Sequence, residues 1–172
     1  MSPAAPLVAV CGTSSATPAE AELAVEVGRL LATRGATVLC GGLGGVMEAV
    51  ARGVHGAGGT CVGLLPGDDT GGAAPALSVA IPTGMGEMRN ALLARACAGM
   101  VAIGGGYGTL SEVALALRLG RPVAGLRTWE LVRPDGGTDG GIHACATTAD
   151  AVEWVLAEIA ARDQGGLPAE HT

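Results

Sequence analysis

The chain alternates between short unbroken apolar runs and longer segments in which apolar residues recur every three or four positions. Leu7-Val8-Ala9-Val10-Cys11 opens the series. A run of this kind fits a strand buried on both faces. Gly12-Thr13-Ser14-Ser15 follows as a small polar loop. Thr17-Pro18-Ala19-Glu20 then has the order of a helix start: a capping hydroxyl, a proline in the first turn and a glutamate placed to reach back to the cap. Leu23, Val27, Leu30 and Leu31 share one face of that helix, which stops near Gly35.

The pattern repeats to the end of the chain. Thr37–Cys40 reads as a strand, Gly41–Gly45 as a glycine loop and Val46–His55 as a helix. Thr60–Leu65 and Ser78–Ile81 read as strands separated by the polar loop Gly67–Pro75. Met85–Ala98 reads as a helix, Met100–Ile103 as a strand, Leu110–Leu119 as a helix and Pro122–Leu126 as a strand. Arg127–Gly141 is a loop, Ile142–Ala144 a last short strand, and Thr148–Ala160 a helix with Val152, Val155, Leu156 and Ile159 on its apolar side. Strands alternating with helices predict the α/β class, as a Rossmann-like doubly wound parallel sheet with helices on both faces. No internal repeat or linker interrupts the pattern. Residues 1–163 therefore read as a single Rossmann-like nucleotide-binding domain, and 164–172 as a flexible C-terminal tail.

Ligands of such sheets bind beyond the carboxyl ends of the strands. The polar and glycine-rich segments fall there: Gly12–Ser15, Gly41–Gly45, Pro82–Gly86 and Gly104–Thr109. Four loops of one kind are expected to converge on one crevice. Gly104–Thr109 follows a strand and opens a helix, where unpaired backbone N–H groups and the helix dipole favour an anion. The phosphate or nucleotide site expected from these loops comprises Gly12, Thr13, Ser14, Gly41, Gly42, Gly44, Gly105, Gly106, Tyr107, Gly108 and Thr109. It is not the usual dinucleotide fingerprint. The first strand-helix turn holds a single glycine, and no acidic residue ends a strand about 20 residues beyond Gly42-Leu43-Gly44.

Composition narrows the chemistry. Of 172 residues, 49% are hydrophobic and 15% charged, which belongs to a folded globular chain. Apolar runs stay well short of the roughly 18 residues that cross a bilayer, and Met1–Pro6 has no basic segment, so no membrane association and a cytoplasmic location are expected. The net charge of −6, with no basic stretch, argues against a nucleic acid polymer as partner but not against one nucleotide. Every one of the 10 basic residues is arginine. That excludes a Walker-type lysine and a lysine Schiff base with pyridoxal phosphate. His55, His143 and His171 lie far apart, and no metal site is expected. Asp68-Asp69 suits a solvated loop better than a magnesium pair. The five cysteines form no CxxC pair and read as free buried thiols.

Two residues carry double readings. Thr109-Leu110-Ser111-Glu112 has the spacing of a capping box, with Glu112 in the first turn of its helix. A carboxylate beside a phosphate-binding helix start is also placed to act on the sugar of a bound nucleotide. Arg89 opens another helix, and serves either as a solvated or salt-bridged arginine or as a fork for phosphate or for Glu112. Tyr107 and Trp129 each suit stacking on a base, and Trp129 equally suits a core anchor.

Gly104–Glu112 resembles the PGGxGTxxE motif of the LONELY GUY (LOG) family, once thought to be lysine decarboxylases. Gly12-Thr13-Ser14-Ser15 resembles that family's GSS loop, Gly41–Met47 its GGG-x-x-GLM segment, and Val62-Gly63-Leu64-Leu65-Pro66 its VIGIIP strand. The resemblance spans about residues 7 to 126. It implies Arg89 and Glu112 as the catalytic pair of a phosphoribohydrolase. Such an enzyme cleaves the N-glycosidic bond of a nucleoside 5′-monophosphate to free base and ribose 5-phosphate, in a homodimer or larger homo-oligomer and with no required cofactor. Pyridoxal-dependent decarboxylation does not fit a chain without lysine. Departures point to a sister branch: Gly104 replaces the motif's proline, and Gly86-Glu87-Met88-Arg89-Asn90 stands where MHERK would. That branch includes molybdenum cofactor carrier proteins. It implies, as the alternative, a non-catalytic carrier of a phosphorylated pterin, with phosphate, AMP or molybdenum cofactor as the bound ligand. A nucleotide-sensing module is a third reading.

Overall fold

The computed structural model describes residues 5–165. Its elements alternate as the apolar pattern predicts: β1 (Leu7–Gly12), α1 (Pro18–Thr33), β2 (Thr37–Cys40), α2 (Val46–Gly56), β3 (Cys61–Leu65) and β4 (Val79–Pro82). A short 3-10 helix (Gly86–Arg89) then leads directly into α3 (Asn90–Ala96). The chain continues through β5 (Gly99–Ile103), α4 (Tyr107–Arg118), β6 (Val123–Leu126), β7 (Ile142–Ala144) and α5 (Thr148–Gly165).

The seven strands form one parallel sheet in the order β4-β3-β2-β1-β5-β6-β7. Alternation along each strand divides the core into two layers. Val8 and Val10 join Val38, Cys40, Val101 and Ile103 under α1, α2 and α5. Ala9 and Cys11 join Leu39, Met100 and Ala102 under α3 and α4. Helices thus cover both faces, which is why the central strands are apolar at consecutive positions. The chain runs outward from β1 to β4 in one direction and from β5 to β7 in the other. The crevice at the ends of β1 and β5 is therefore the topological switch point, where open α/β sheets bind ligands.

The helix boundaries differ from the expected ones at three places. Met85–Ala98 is not one helix. Gly84 and Gly86 have φ of 61° and 55°, and the Gly86 N–H bonds to the Pro66 carbonyl at 2.9 Å, so regular helix begins only at Asn90. It ends at Cys97, whose backbone is already extended toward β5. α4 starts at Tyr107, three residues earlier than expected. α5 continues to Gly165, so Gln164 and Gly165 are helical; the rest of the expected tail, 166–172, lies outside the described residues. Four of the five free cysteines, Cys11, Cys40, Cys61 and Cys97, are buried, and Cys145 is half-buried. No helix among the described residues is long and apolar enough to cross a membrane.

Candidate functional site

Three helices start at the carboxyl end of the sheet's central strands, and their first turns differ in one respect. α1 is closed by its own side chains. The Thr17 hydroxyl accepts from the Glu20 N–H at 3.3 Å, the Glu20 carboxylate accepts from the Thr17 N–H at 2.8 Å, and Pro18 has no N–H to offer. α2 and α4 are capped by Gly45 and Gly106, with no side-chain cap hydrogen bond. Their first-turn N–H groups are the ones left for a ligand, apart from that of Val46, which bonds to the Thr13 carbonyl at 3.0 Å.

The start of α4 overturns the capping-box reading of Thr109-x-x-Glu112. The cap is Gly106, so Thr109 lies inside the first turn, and Glu112 falls in the second turn rather than the first. The cause is the glycine loop. Gly105 takes φ of 113°, and a side chain there would collide with that of Thr109. The backbone can therefore turn into helix before it reaches the threonine. Thr109 is buried beneath the loop, whereas Gly106, Tyr107 and Gly108 face solvent, with Tyr107 83% exposed.

Glu112 projects from α4 toward the other glycine loop and meets Arg89. The Arg89 Nη1 lies 3.6 Å from Glu112 Oε1, and the two residues are 7% and 6% exposed. Arg89 reaches this point because the segment after β4 folds back over β3. Gly84 N–H bonds to the Gly67 carbonyl at 2.9 Å, and the 3-10 helix carries the arginine inward to the end of β2. Its guanidinium rests on Gly41, where a Cβ would sit 2.6 Å from both Nη1 and Nη2 and 2.5 Å from Met47 Sδ. A side chain here would push aside the ends of Arg89 and Met47. A Gly41→Ala variant is expected to displace the Arg89 guanidinium, cost about 1 kcal/mol or less because two flexible side-chain ends give way, and weaken binding of phosphorylated ligands. Thermal melts and titration calorimetry check both effects; unchanged affinity would show that Arg89 need not lie there.

Two residues absent from the sequence-derived set tie the site together. Arg89 Nη1 donates to Asn90 Oδ1 at 3.0 Å, Asn90 Nδ2 donates to Ser111 Oγ at 3.1 Å, and Ser111 Oγ donates to the Gly108 carbonyl at 2.7 Å. This chain couples the arginine to the glycine loop. Asn90 was visible as the neighbour of Arg89, but no spacing rule links it to Ser111. Arg89 Nε is buried and has no hydrogen-bond partner among the described residues. Such a donor is costly unless an acceptor meets it.

Burial pushes the Glu112 carboxyl up to about 7, against the lowering influence of Arg89. Burial, then the nearby Glu112 charge, likewise push the Cys11 thiol well up. The site therefore combines a buried guanidinium with a carboxyl that changes charge near neutrality.

The remaining expected residues divide. Gly12, Gly41, Gly42 and Gly44 end or follow β1 and β2, and the Thr13–Ser14 backbone packs against Gly45. Asp68 and Asp69 are exposed; Asp69 Oδ1 accepts from the Gly71 N–H at 2.7 Å, as in a solvated turn. Trp129 is half-buried and is no core anchor. Its Nε1 donates to the Gly106 carbonyl at 3.3 Å, and its ring lies 5.9 Å from that of Tyr107.

Known proteins share this fold. The model of the SLOG cluster4 family matches residues 5–152. The molybdenum cofactor binding protein of Rippkaea orientalis superposes with a TM-score of 0.82 at 32% identity, over 90% of this chain and 98% of that one. The molybdenum cofactor carrier protein of Chlamydomonas reinhardtii does so with a TM-score of 0.76 at 32% identity, over 92% and 99%. A protein of Oryza sativa subsp. japonica named "Probable cytokinin riboside 5'-monophosphate phosphoribohydrolase" is 36% identical over 60% of this chain and 44% of its own length. With its glycine-capped α2 and α4 on a fully parallel sheet, the chain belongs to the SLOG cluster4 family, in the LOG superfamily that also holds the molybdenum cofactor carriers.

Proposed function

We propose that this chain is a carrier that holds molybdenum cofactor, a phosphorylated pterin, as cargo in the crevice at the ends of β1, β2 and β5. The observation that carries this reading is the end-to-end match with the two molybdenum cofactor proteins, 98% and 99% of whose chains are covered. The rice phosphoribohydrolase aligns over 44% of its length.

The residues present suit such a cargo. The free first turn of α4 offers N–H groups to a phosphate, assisted by the dipole. Among the described residues Arg89 adds the only buried charge of opposite sign to the anion, and its Nε, without a partner among them, supports an acceptor from the ligand. The remaining residues of the expected site, Gly12, Thr13, Ser14, Gly41, Gly42, Gly44 and Gly105–Thr109, would shape the floor around it. In this reading Arg89 and Glu112 bind and discriminate, and assembly as a homodimer or larger homo-oligomer belongs to the same proposal.

One feature supports hydrolysis as a second reading: the Arg89–Glu112 pair expected of a phosphoribohydrolase is present, with its carboxyl near neutrality. In that reaction the C1′–N bond of a nucleoside monophosphate breaks and its electron pair leaves with the base, which takes up a proton. Water supplies the hydroxyl at C1′. An ionised Glu112 would stabilise the positive ribosyl centre or take the proton from water, while Arg89 holds the phosphate.

The test incubates purified protein with AMP, GMP and isopentenyl-AMP, and separately with molybdenum cofactor released from a donor enzyme. Retention of the pterin through gel filtration, with no free base or ribose 5-phosphate formed, is expected. Base release that disappears in Glu112→Gln, without pterin retention, would replace the carrier by the enzyme. Light scattering on the same sample reads the oligomer.

A further inference from the structure

A second hollow adjoins the start of α4 on the side away from Arg89. It lies between the ends of β6 and β7 and a small hairpin in which Val132 pairs with Thr138. Its volume is about 350 Å³, within the roughly 300–1,000 Å³ of small-molecule sites. Trp129, Leu131 and Ile142 supply its apolar lining, and Glu130 and Asp139 its carboxylates.

The wall of this cleft is fixed to the anion loop. Gly104 N–H donates to the Leu126 carbonyl at 3.0 Å, Thr128 Oγ1 to the Gly104 carbonyl at 2.6 Å, and Trp129 Nε1 to the Gly106 carbonyl at 3.3 Å. Between them Arg127 takes φ of 51°, the only positive value outside glycine among the described residues. A non-glycine residue persists there only where its surroundings over-determine it, and such positions gather at ligand sites. Trp129 spends its one donor on the loop, so its contribution to a ligand is its ring.

We infer that this cleft is a second compartment of the ligand site and takes a ring with the 2-amino-4-oxo-pyrimidine edge shared by guanine and pterins, stacked on Trp129 and read by Glu130. The inference rests on the proposed anion site at α4. The edge chemistry selects the ring: an amino group beside a ring N–H presents two donors to a carboxylate. Adenine presents a ring-nitrogen acceptor beside its amino group, which a carboxylate repels. Glu130 is exposed and makes no hydrogen bond or ion pair among the described residues, whereas Asp139, on the same lining, is held by Arg133 and Gly141. Glu130 is therefore the carboxylate left to read the edge.

Titration calorimetry of the full chain with ribose 5-phosphate, AMP and GMP tests this. GMP is expected to bind about tenfold more tightly than AMP, and ribose 5-phosphate more weakly than either. Trp129→Leu should weaken GMP about tenfold more than it weakens ribose 5-phosphate, which feels only the lost bond to Gly106. Glu130→Gln, a change at an exposed position, should erase the preference for GMP over AMP while AMP still binds. Ribose 5-phosphate binding with no preference for GMP, or with a preference that survives Glu130→Gln, overturns this inference alone. No binding of ribose 5-phosphate overturns the anion site and the inference with it.

Discussion

A Glu112→Gln variant is expected to gain stability over the parent as pH rises, by on the order of 3 kcal/mol between about pH 4.5 and 8. Burial holds the native carboxyl at about 7, whereas the unfolded chain titrates near the usual 4.5. Between these values the native state binds more protons than the unfolded one, so the parent loses stability as pH increases. Its contribution is complete below the unfolded value and gone once pH passes the native one. Glutamine keeps the shape and carries no titrating proton. Denaturant unfolding of both proteins across this window checks the result; parallel profiles would mean that Glu112 titrates as an exposed carboxyl does.

The same titration separates the two functional readings. An ionised Glu112 competes for Arg89 and repels a phosphate beside it. Affinity for phosphorylated ligands should therefore fall as pH rises through about 7, by up to about tenfold per unit, and should stay flat in Glu112→Gln. Phosphoribohydrolase turnover would move the opposite way, because it needs the carboxylate. Calorimetry and product chromatography at matched pH values read the two slopes.

Arg89→Met has the second large effect. The guanidinium is the one influence that lowers the Glu112 carboxyl, so its removal is expected to drive that carboxyl above about 7, which carbon-13 NMR of the glutamate detects directly. Losing one partner of a buried charge pair typically costs 3–5 kcal/mol, because the other is stranded. Here Glu112 escapes by taking up a proton, so the cost at neutral pH should be smaller, about 1–3 kcal/mol. Phosphorylated ligands should lose affinity by roughly a hundredfold, since methionine fills the space on Gly41 without a charge or donor. A carboxyl that stays near 7 in the variant would mean that Arg89 exerts no field on it.

Several features of the site were legible before the fold was known. Thr17, Pro18 and Glu20 form the cap that their order implies, because a capping box is a contact within one turn. The same signal failed at Thr109 and Glu112. There the preceding glycines let the helix begin at Tyr107, and the two residues that matched the motif became neighbours inside the helix instead. A cap motif states which bonds are available, and the incoming backbone decides whether they form. Met85–Ala98 failed for a related reason: the expected helix ran through Gly86, whose positive φ, like that of Gly84 just before it, belongs to a turn.

The sequence by itself determined the succession of strands and helices, the parallel sheet they imply, and the glycine loops at its carboxyl end. These follow from periodicity and from the conformations glycine alone takes easily, both local properties. Only the tertiary structure decided that Arg89 rests on Gly41 and faces Glu112 at 3.6 Å, that Asn90 and Ser111 link that arginine to the glycine loop, and that Trp129 lines a cleft beside it. Those contacts join residues remote along the chain. The order of the strands brings them together, and burial in a shared low-dielectric interior then gives Glu112 a proton affinity that no stretch of sequence around it encodes.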